Sequence, residues 1–388
     1  PRTYRKSDLE NGQDVQGIDW RKLETTRSKA RSVRSQLYCQ FEPIHVGFPN
    51  PILLQNGKNA TKTTNCDDYF RFTRVNNEHR AYITHFQLRN LIAATSRNDI
   101  YYANKYKIMH TDLSDQVNEC AIDLTKTSTD SWDNSGGFVT TTLTATEEAL
   151  IGGSFFGEYV VKSLKSDYDE PPTIGAVTQE TNGITNHVHA FNSRTNGQRQ
   201  AAFCNNDQHL RLLDLTTNSF TGDFTYPAAI NCAATSPNGQ MRIVVGDFLE
   251  TLITNAQTGK PFESLLAHTD HVFACAWADD GIHIATGAQD CRIAIHDARW
   301  WARPVAVISS EMACPRSLSF SPVGSGKRLL LAAEADDFVH VIDAVGFTKK
   351  QTVDFFGPIG GACWTGDGGE FVVSNSDARL GGLMGFER

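Results

Sequence analysis

The sequence lacks most of the features that would assign it a chemistry. Its nine cysteines, at 39, 66, 120, 204, 232, 275, 291, 314 and 363, form no CxxC pair. An odd, dispersed set lying mostly in apolar runs excludes a disulfide framework and a cysteine zinc site. It points instead to reduced thiols in a cytoplasmic or nuclear compartment, and on that footing the Asn59-Ala60-Thr61 sequon is a chance match. No stretch approaches the ~18 consecutive apolar residues of a membrane helix, so no membrane partner is expected. HExxH and GxSxG are both missing, and no spacing supplies a serine or cysteine nucleophile with an oriented base. Gly324-Ser325-Gly326-Lys327 has the wrong glycine spacing for a phosphate loop and no helix to open, so it reads as a hairpin turn. Positive charge is in deficit: 36 Lys and Arg against 44 Asp and Glu leave a net −8. That excludes a global nucleic-acid footprint and leaves a local one open.

What is present is a rhythm. Residues 268–299, HTDHVFACAWADDGIHIATGAQDCRIAIHDAR, contain three short apolar-alternating runs at 272–277, 282–287 and 291–296. Tight acidic or glycine turns separate them, which is the hairpin signal. A three-strand unit cannot bury both faces alone, so the pattern makes sense only when repeated in a ring. Weaker copies flank it. Strands are expected at 81–87, 91–95 and 100–106; at 138–143, 149–153 and 159–164; and at 188–192, 200–204 and 209–214. Further sets fall at 230–236, 241–246 and 250–256, at 317–321, 329–334 and 338–343, and at 361–365, 371–374 and 380–385. The turn aspartates Asp207, Asp247, Asp290, Asp336 and Asp377 lie 40, 43, 46 and 41 residues apart, the period of a four-stranded blade plus a loop.

These repeats predict an all-β fold, a seven-bladed β-propeller over residues 68–388 with an N-terminal extension over 1–67. The isolated alternating run at 68–74 is expected to close the ring by completing the last blade. Residues 1–17 are polar and expected to be mobile. Residues 18–41 read as a helix, with Leu23, Ala30, Val33 and Leu37 as a sparse apolar stripe and Arg27, Arg31 and Arg34 on another face. Such a helix would lie apolar side down and basic side out. The outward arginines are then either a solvated face or a contact for acidic protein, phosphate or RNA. Residues 43–67 read as a loop, and the acidic, proline-bearing stretch 165–183 as a rim insertion. The start at Pro1, without Met, suggests a natural start further upstream.

At residues 268–299 the chain resembles the WD40 repeat family. In that family a His before the first strand, a Ser or Thr on the second, an Asp in the next turn and a Trp on the third form a hydrogen-bond network. His268, Thr286 and Asp290 match; His296 stands at the Trp position, followed by Asp297. Asp214 and Asp343 take the corresponding end positions in other repeats. The stretches QGIDWRKLETTR (16–27), HFQLRNLIAATSRNDIYY (85–102), NNDQHLRLLD (205–214), LLAHTDHVFACAWADDGIHIATGAQD (265–290) and ADDFVHVIDA (335–344) are similar, more narrowly, to a family of WD-repeat proteins of plants and fungi. The resemblance implies a fold, with the N-terminal extension belonging to it, and no particular activity.

On this reading each turn aspartate is a buried acceptor within its own blade, since an unpaired one would cost several kcal/mol. The twelve histidines offer His187 with His189, His268 with His271, His283 and His296 as their nearest groupings, none with a visible third ligand. No metal, cofactor or enzymatic activity is expected. Partners are expected at the rim where each innermost strand begins, with His187, Asn231, His271, Phe273 and Arg316 as candidates. Trp300-Trp301 either fills core against the next blade or offers an edge contact. The function expected is a protein-interaction scaffold in a cytoplasmic or nuclear assembly. The alternative is a ribonucleoprotein or chromatin adaptor that uses the basic helix.

Overall fold

The computed structural model describes residues 3–5, 14–38, 60–66, 69–112, 117–125, 137–165 and 170–388. Short β-branched runs broken by tight turns form antiparallel hairpins, and these stack into four-stranded sheets arranged like propeller blades. Five such sheets follow one another in the chain. The first runs Ile92–Ala94, Ile100–Asn104, Lys107–Thr111, Asn118–Asp123, and the second Thr140–Ala145, Ala149–Ser154, Glu158–Ser163, Thr173–Ala176. The third to fifth begin at Thr185–Asn192, Ile230–Thr235 and Val272–Trp277 and end at Ser219–Thr225, Pro261–Leu265 and Ala306–Ser309.

The rest is one composite sheet. Its leading half is Pro315–Phe320, Leu329–Glu334, Asp336–Asp343 and the start of the long strand Lys349–Trp364. That strand continues as the first strand of the trailing half, followed by Glu370–Asn375 and Gly382–Glu387. Arg71–Asn76 pairs with Gly382–Glu387, and Thr3–Arg5 adds outside it. The core lies between neighbouring sheets: Cys232, Ile243 and Val245 of the fourth, for example, pack on Val272, Trp277 and Ile284 of the fifth.

Several expected elements fall elsewhere. The first sheet uses no strand at 81–87; those residues lead into it, with Tyr82 and Phe86 exposed. Its outer strand is Asn118–Asp123, inside a region whose polar composition gave no strand signal. Within the supposed insertion 165–183, Thr173–Ala176 is the outer strand of the second sheet, and residues 166–169 lie outside the described residues. The strand expected at 68–74 begins at Arg71, and Asp68 lies outside the described residues. Residues 43–59 and 67 of the expected loop also lie outside them, while Thr64 and Asn65 pair in parallel with Lys349 and Lys350. Trp301 packs on the core of the fourth and fifth sheets, and Trp300 is exposed beneath the Arg303 guanidinium.

The helix is shorter than expected, Arg27–Leu37, capped by the Thr26 hydroxyl accepting from Lys29 N at 3.2 Å. Residues 18–25 form turns instead. Nor is the preceding segment loose where it is described: Gln16 is only 2% exposed.

Candidate functional site

The first strand of each of six repeats carries a β-bulge, and the bulged residue falls at the same place each time. Pairing slips between Thr140 and Thr142, Thr185 and His187, Ile230 and Cys232, Val272 and Ala274, Pro315 and Ser317, and Ile359 and Gly361. The bulged residues are therefore Thr141, Asn186, Asn231, Phe273, Arg316 and Gly360. A bulge re-aims one side chain out of the ladder. Here it directs that side chain at the neighbouring inner strand and builds a belt along the inner rim.

Over the first half of the belt each side chain donates to the next sheet's backbone. Thr141 Oγ1 reaches Thr185 O at 2.6 Å, Asn186 Nδ2 reaches Ile230 O at 2.9 Å, and Asn231 Nδ2 reaches Val272 O at 3.1 Å. Then the belt breaks. Phe273 has no donor, and Arg316 stacks on its ring at 3.6 Å. Gly360 has no side chain at all. Arg316 is 4% exposed; its Nη2 donates to Gln289 Oε1 at 2.7 Å, while Nε and Nη1 have no partner among the described residues. Burial holds its pKa below the usual guanidinium value.

Three of the expected rim residues, Asn231, Phe273 and Arg316, are thus belt positions, and His187 follows one. Phe273 and Arg316 are not free-standing contacts, because each is buried against the other. His271 sits outside the belt, with Nδ1 3.7 Å from Asp247. His187 Nδ1 is buried without a partner among the described residues.

The turn aspartates divide by environment. Asp290 accepts from Thr269 N at 3.0 Å and Arg292 N at 3.1 Å, and both its oxygens stand 3.3 Å from His268 Nδ1. His268 Nε2 meets the Thr286 hydroxyl at 2.9 Å. His296 stays out of this network. It is 2% exposed with Nδ1 unpartnered among the described residues, and burial, aided by the His268 charge, lowers its pKa to about 3. Asp207 accepts from His209 N and Arg211, and Asp377 from Arg379 N and Leu380 N, so both act inside their own turns. Asp247 does not fit the expectation of a buried acceptor: its side chain is 37% exposed and takes Asn231 Nδ2 at 2.9 Å.

Asp336 departs further, because its partners come from the N-terminal segment: Tyr38 Oη at 2.9 Å and Arg34 at 3.6 Å. In that sheet the buried acceptor is Glu334, 1% exposed. It takes Glu311, Met312 and Ala313 N–H groups at 2.6, 3.0 and 2.6 Å and His340 Nε2 at 2.7 Å. Sequence reading missed it because it ends an apolar strand instead of standing in a turn.

The N-terminal segment lies over this side of the molecule as a strap. Asp14 folds its start by accepting from Gln16 N, Ile18 N and Trp20 Nε1. The Gln16 side-chain amide then grips the Phe356 backbone, Nε2 donating to its O at 2.7 Å and Oε1 accepting from its N at 2.6 Å. Trp20 and the Arg27 and Arg31 guanidinium groups cover the Phe356 ring. Arg27 also pairs with Asp354. Arg31 Nη1 and Arg34 Nε both stand 2.5 Å from Asp337 Oδ2, and Arg31 Nη2 donates to Phe355 O at 2.6 Å. Asp337 has no exposed side-chain surface and also accepts from Gly357 N at 2.7 Å.

The expected orientation of the helix is therefore reversed. Its arginines face the sheets, because Asp337 and Asp354 are there to neutralise them and Phe356 offers a ring face. Its apolar residues Val33 and Leu37 face solvent, 46% and 73% exposed, as does Leu23 at 59% in the turns before it. No outward basic face is left at Arg27, Arg31 and Arg34 to meet phosphate. Among the described residues no group of three or more His, Cys, Asp or Glu side chains could hold a metal ion, and no helix is long and apolar enough to cross a membrane.

Comparison with known proteins agrees with this architecture. Residues 259–297 match the WD domain, G-beta repeat family. An uncharacterized protein of Schizosaccharomyces pombe is 24% identical over 321 residues, covering 75% of this chain and 85% of that protein. A chain in a crystal structure of a mitotic checkpoint complex superposes with a TM-score of 0.64 at 15% identity, over 91% of this chain and 99% of that one. The fold is a WD40-like β-propeller.

Proposed function

We propose that this protein is a non-catalytic scaffold that holds protein partners in a cytoplasmic or nuclear assembly. The observation that carries the reading is the inverted helix and the turns before it: arginines bound inward to Asp337 and Asp354, with Val33 and Leu37 of the helix and Leu23 of the turns held outward on a fixed surface. Large apolar side chains kept in water on a clamped element suit a protein contact. A solved assembly containing the same fold accords with a scaffold role, and the described cysteines, which form no disulfide with one another, accord with a reducing compartment. We further propose a closed ring of seven blades, with Arg71–Asn76 as the outer strand of the last, and kinship with WD-repeat proteins of plants and fungi. The alternative, a nucleic-acid adaptor, loses its main support with the arginines turned inward.

The test is affinity purification of the natural full-length protein at low and moderate salt, with nuclease, beside a Val33→Asp/Leu37→Asp variant. The scaffold reading expects a defined protein set that survives salt and nuclease and falls several-fold in the variant. Nucleic acid recovered at low salt and lost at moderate salt would replace it with the adaptor reading.

A further inference from the structure

On the side of the molecule away from the belt, the fifth sheet and the leading half of the composite sheet leave a cavity of about 350 Å³ between them. The bulges mark the starts of Val272–Trp277 and Pro315–Phe320, and the cavity lies just past the ends of these strands. Its floor is apolar: Ala278, Leu329 and Ala344 are buried and Phe320 is half-buried. Its lip is apolar and faces water. Val323 is 80% exposed, and Val345, next to Ala344, is 62% exposed.

Two carboxylates line it, and they differ in what they hold. Asp280 accepts from Ile282 N at 2.7 Å and His283 N at 3.2 Å, faces His283 Nδ1 at 3.2 Å, and pairs with the Arg328 guanidinium. Asp279 forms no ion pair among the described residues. Burial, with the Asp280 charge, raises its pKa above the ordinary 3.8, against the Val323 N–H across the cavity, which favours the carboxylate. The neighbouring cations are committed elsewhere. Arg299 forks onto Asp297, Lys327 Nζ lies 5.2 Å over the Tyr69 ring, and Arg388 donates to Lys327 O at 3.4 Å. A carboxylate drawn out of water without a counter-charge is unfavourable, so the cavity has room and charge for a cation that this chain does not supply.

We propose that this cavity takes the side chain of a lysine or arginine on a protein partner, its aliphatic stem along Phe320, Leu329 and Ala344 and its cationic head on Asp279. Both side chains carry a charge at the tip of an apolar stem, which matches apolar walls with one open carboxylate. A wholly apolar anchor would desolvate Asp279 further and leave it unpaired, and an inorganic cation would gain nothing from the walls. The partner's backbone would then cover Val323 and Val345. The proposal rests on the scaffold reading, and it places a partner contact on the face opposite the belt.

The test titrates the full chain, at fixed ionic strength, with the N-acetyl, N-methylamide forms of lysine, arginine and norleucine, read by saturation-transfer NMR. Variants are Asp279→Asn, Val323→Ser and, as a surface control, Glu180→Gln. The two cationic probes should bind wild type and the control equally, and Asp279→Asn on the order of tenfold more weakly, the loss of one charge-assisted hydrogen bond. Norleucine keeps the stem and lacks the charge, so it should bind wild type as weakly as lysine binds Asp279→Asn. Val323→Ser should weaken all three probes alike, and its site is too exposed for that loss to be unfolding. Asp279→Asn should melt no lower than wild type, because the carboxylate it removes has no ion pair. Norleucine binding as tightly as lysine, cations binding Asp279→Asn as tightly as wild type, or no binding of either cation would each overturn the site. Proteins retained equally by wild type and Asp279→Asn would refute the pocket and leave the scaffold standing. No retained proteins, with the cationic probes still bound, would refute the scaffold and the protein source of the side chain with it.

Discussion

Asp290 and Glu334 meet the same need from different positions. The chain crossing from an outer strand to the next inner strand presents N–H groups that no ladder can pair, and a buried carboxylate gathers them. In the fifth sheet the carboxylate stands in the turn, and in the composite sheet it ends the second strand. Burial alone would raise the Asp290 pKa. The His268 charge and hydrogen bond, with the Thr269 N–H, outweigh it and hold the carboxyl below its ordinary 3.8. A carboxyl depressed in the folded state contributes stability above its unfolded pKa and loses it as pH falls through the folded value. Asp290→Asn should therefore lower stability at pH 7 by about 1–3 kcal/mol and show a shallower loss below pH ~4. Urea midpoints at pH 7, 4 and 3 check this; an acid limb as steep in the variant as in wild type would exclude the carboxylate from that role. His268, Thr286 and Asp290 were legible in the sequence because their spacing is characteristic. Glu334 was not, because a strand-final Glu looks like a solvent-facing end until the loop above it is placed.

At the scale of elements, the helix shows why composition alone misplaces a face. Three arginines beside a stripe of Leu23, Ala30, Val33 and Leu37 suggest apolar side down, and nothing local says otherwise. The deciding charges, Asp337 and Asp354, lie some 300 residues away in sequence. Their effect on the strap can be measured. Asp337→Ala removes the shared partner of Arg31 and Arg34 and leaves the Arg31 guanidinium part-buried against Phe356 and Phe338. Losing one member of a buried pair costs about 3–5 kcal/mol, more than a short helix on a surface can supply from its own propensity. Hydrogen exchange should show protection of the Arg27–Leu37 amides falling at least a hundredfold while Val272–Trp277 is unchanged. Equal loss in both segments would mean that Asp337 supports the whole sheet and not the strap. The outer strands were the other elements hard to read. Ser219–Thr225 and Pro261–Leu265 are largely exposed along their length, so the apolar alternation that reveals inner strands is absent from them.

For the whole molecule the question is what covers the edge of the last sheet. Residues 68–74 alternate alone, far from any hairpin partner, which is why a strand was legible there; the described strand starts three residues later, at Arg71, and pairs with Gly382–Glu387. Leu91 N donates to Gly360 O at 3.0 Å and Leu143 N to Asn90 O at 2.7 Å, so the trailing half, the first sheet and the second are neighbours through their inner strands. The segment from Tyr69 onward is fastened to the last sheet by more than its ladder. Gln351 Oε1 accepts from Tyr69 N and Phe70 N while Gln351 Nε2 donates to Phe70 O, and the Phe70 ring meets Trp364 and Phe371. Val75 is wholly buried, and Phe72 meets Phe386 edge-on. Without this strand, Gly382–Glu387 would present an open apolar edge, a template for pairing with other chains. A chain beginning at residue 60 loses the strap and the Thr3–Arg5 strand but keeps Arg71–Asn76 on the Gly382–Glu387 edge, so it should stay monodisperse. One beginning at residue 78 should melt well below it and elute as oligomers or aggregate. Adding a peptide spanning residues 66–77 should restore the monomer, because the edge it covers is otherwise intact. Size exclusion with thermal melting decides the matter: a monomeric 78–388 chain with an unchanged melting temperature would show that the sheets hold together without the borrowed strand, and that Arg71–Asn76 decorates the last blade instead of completing it.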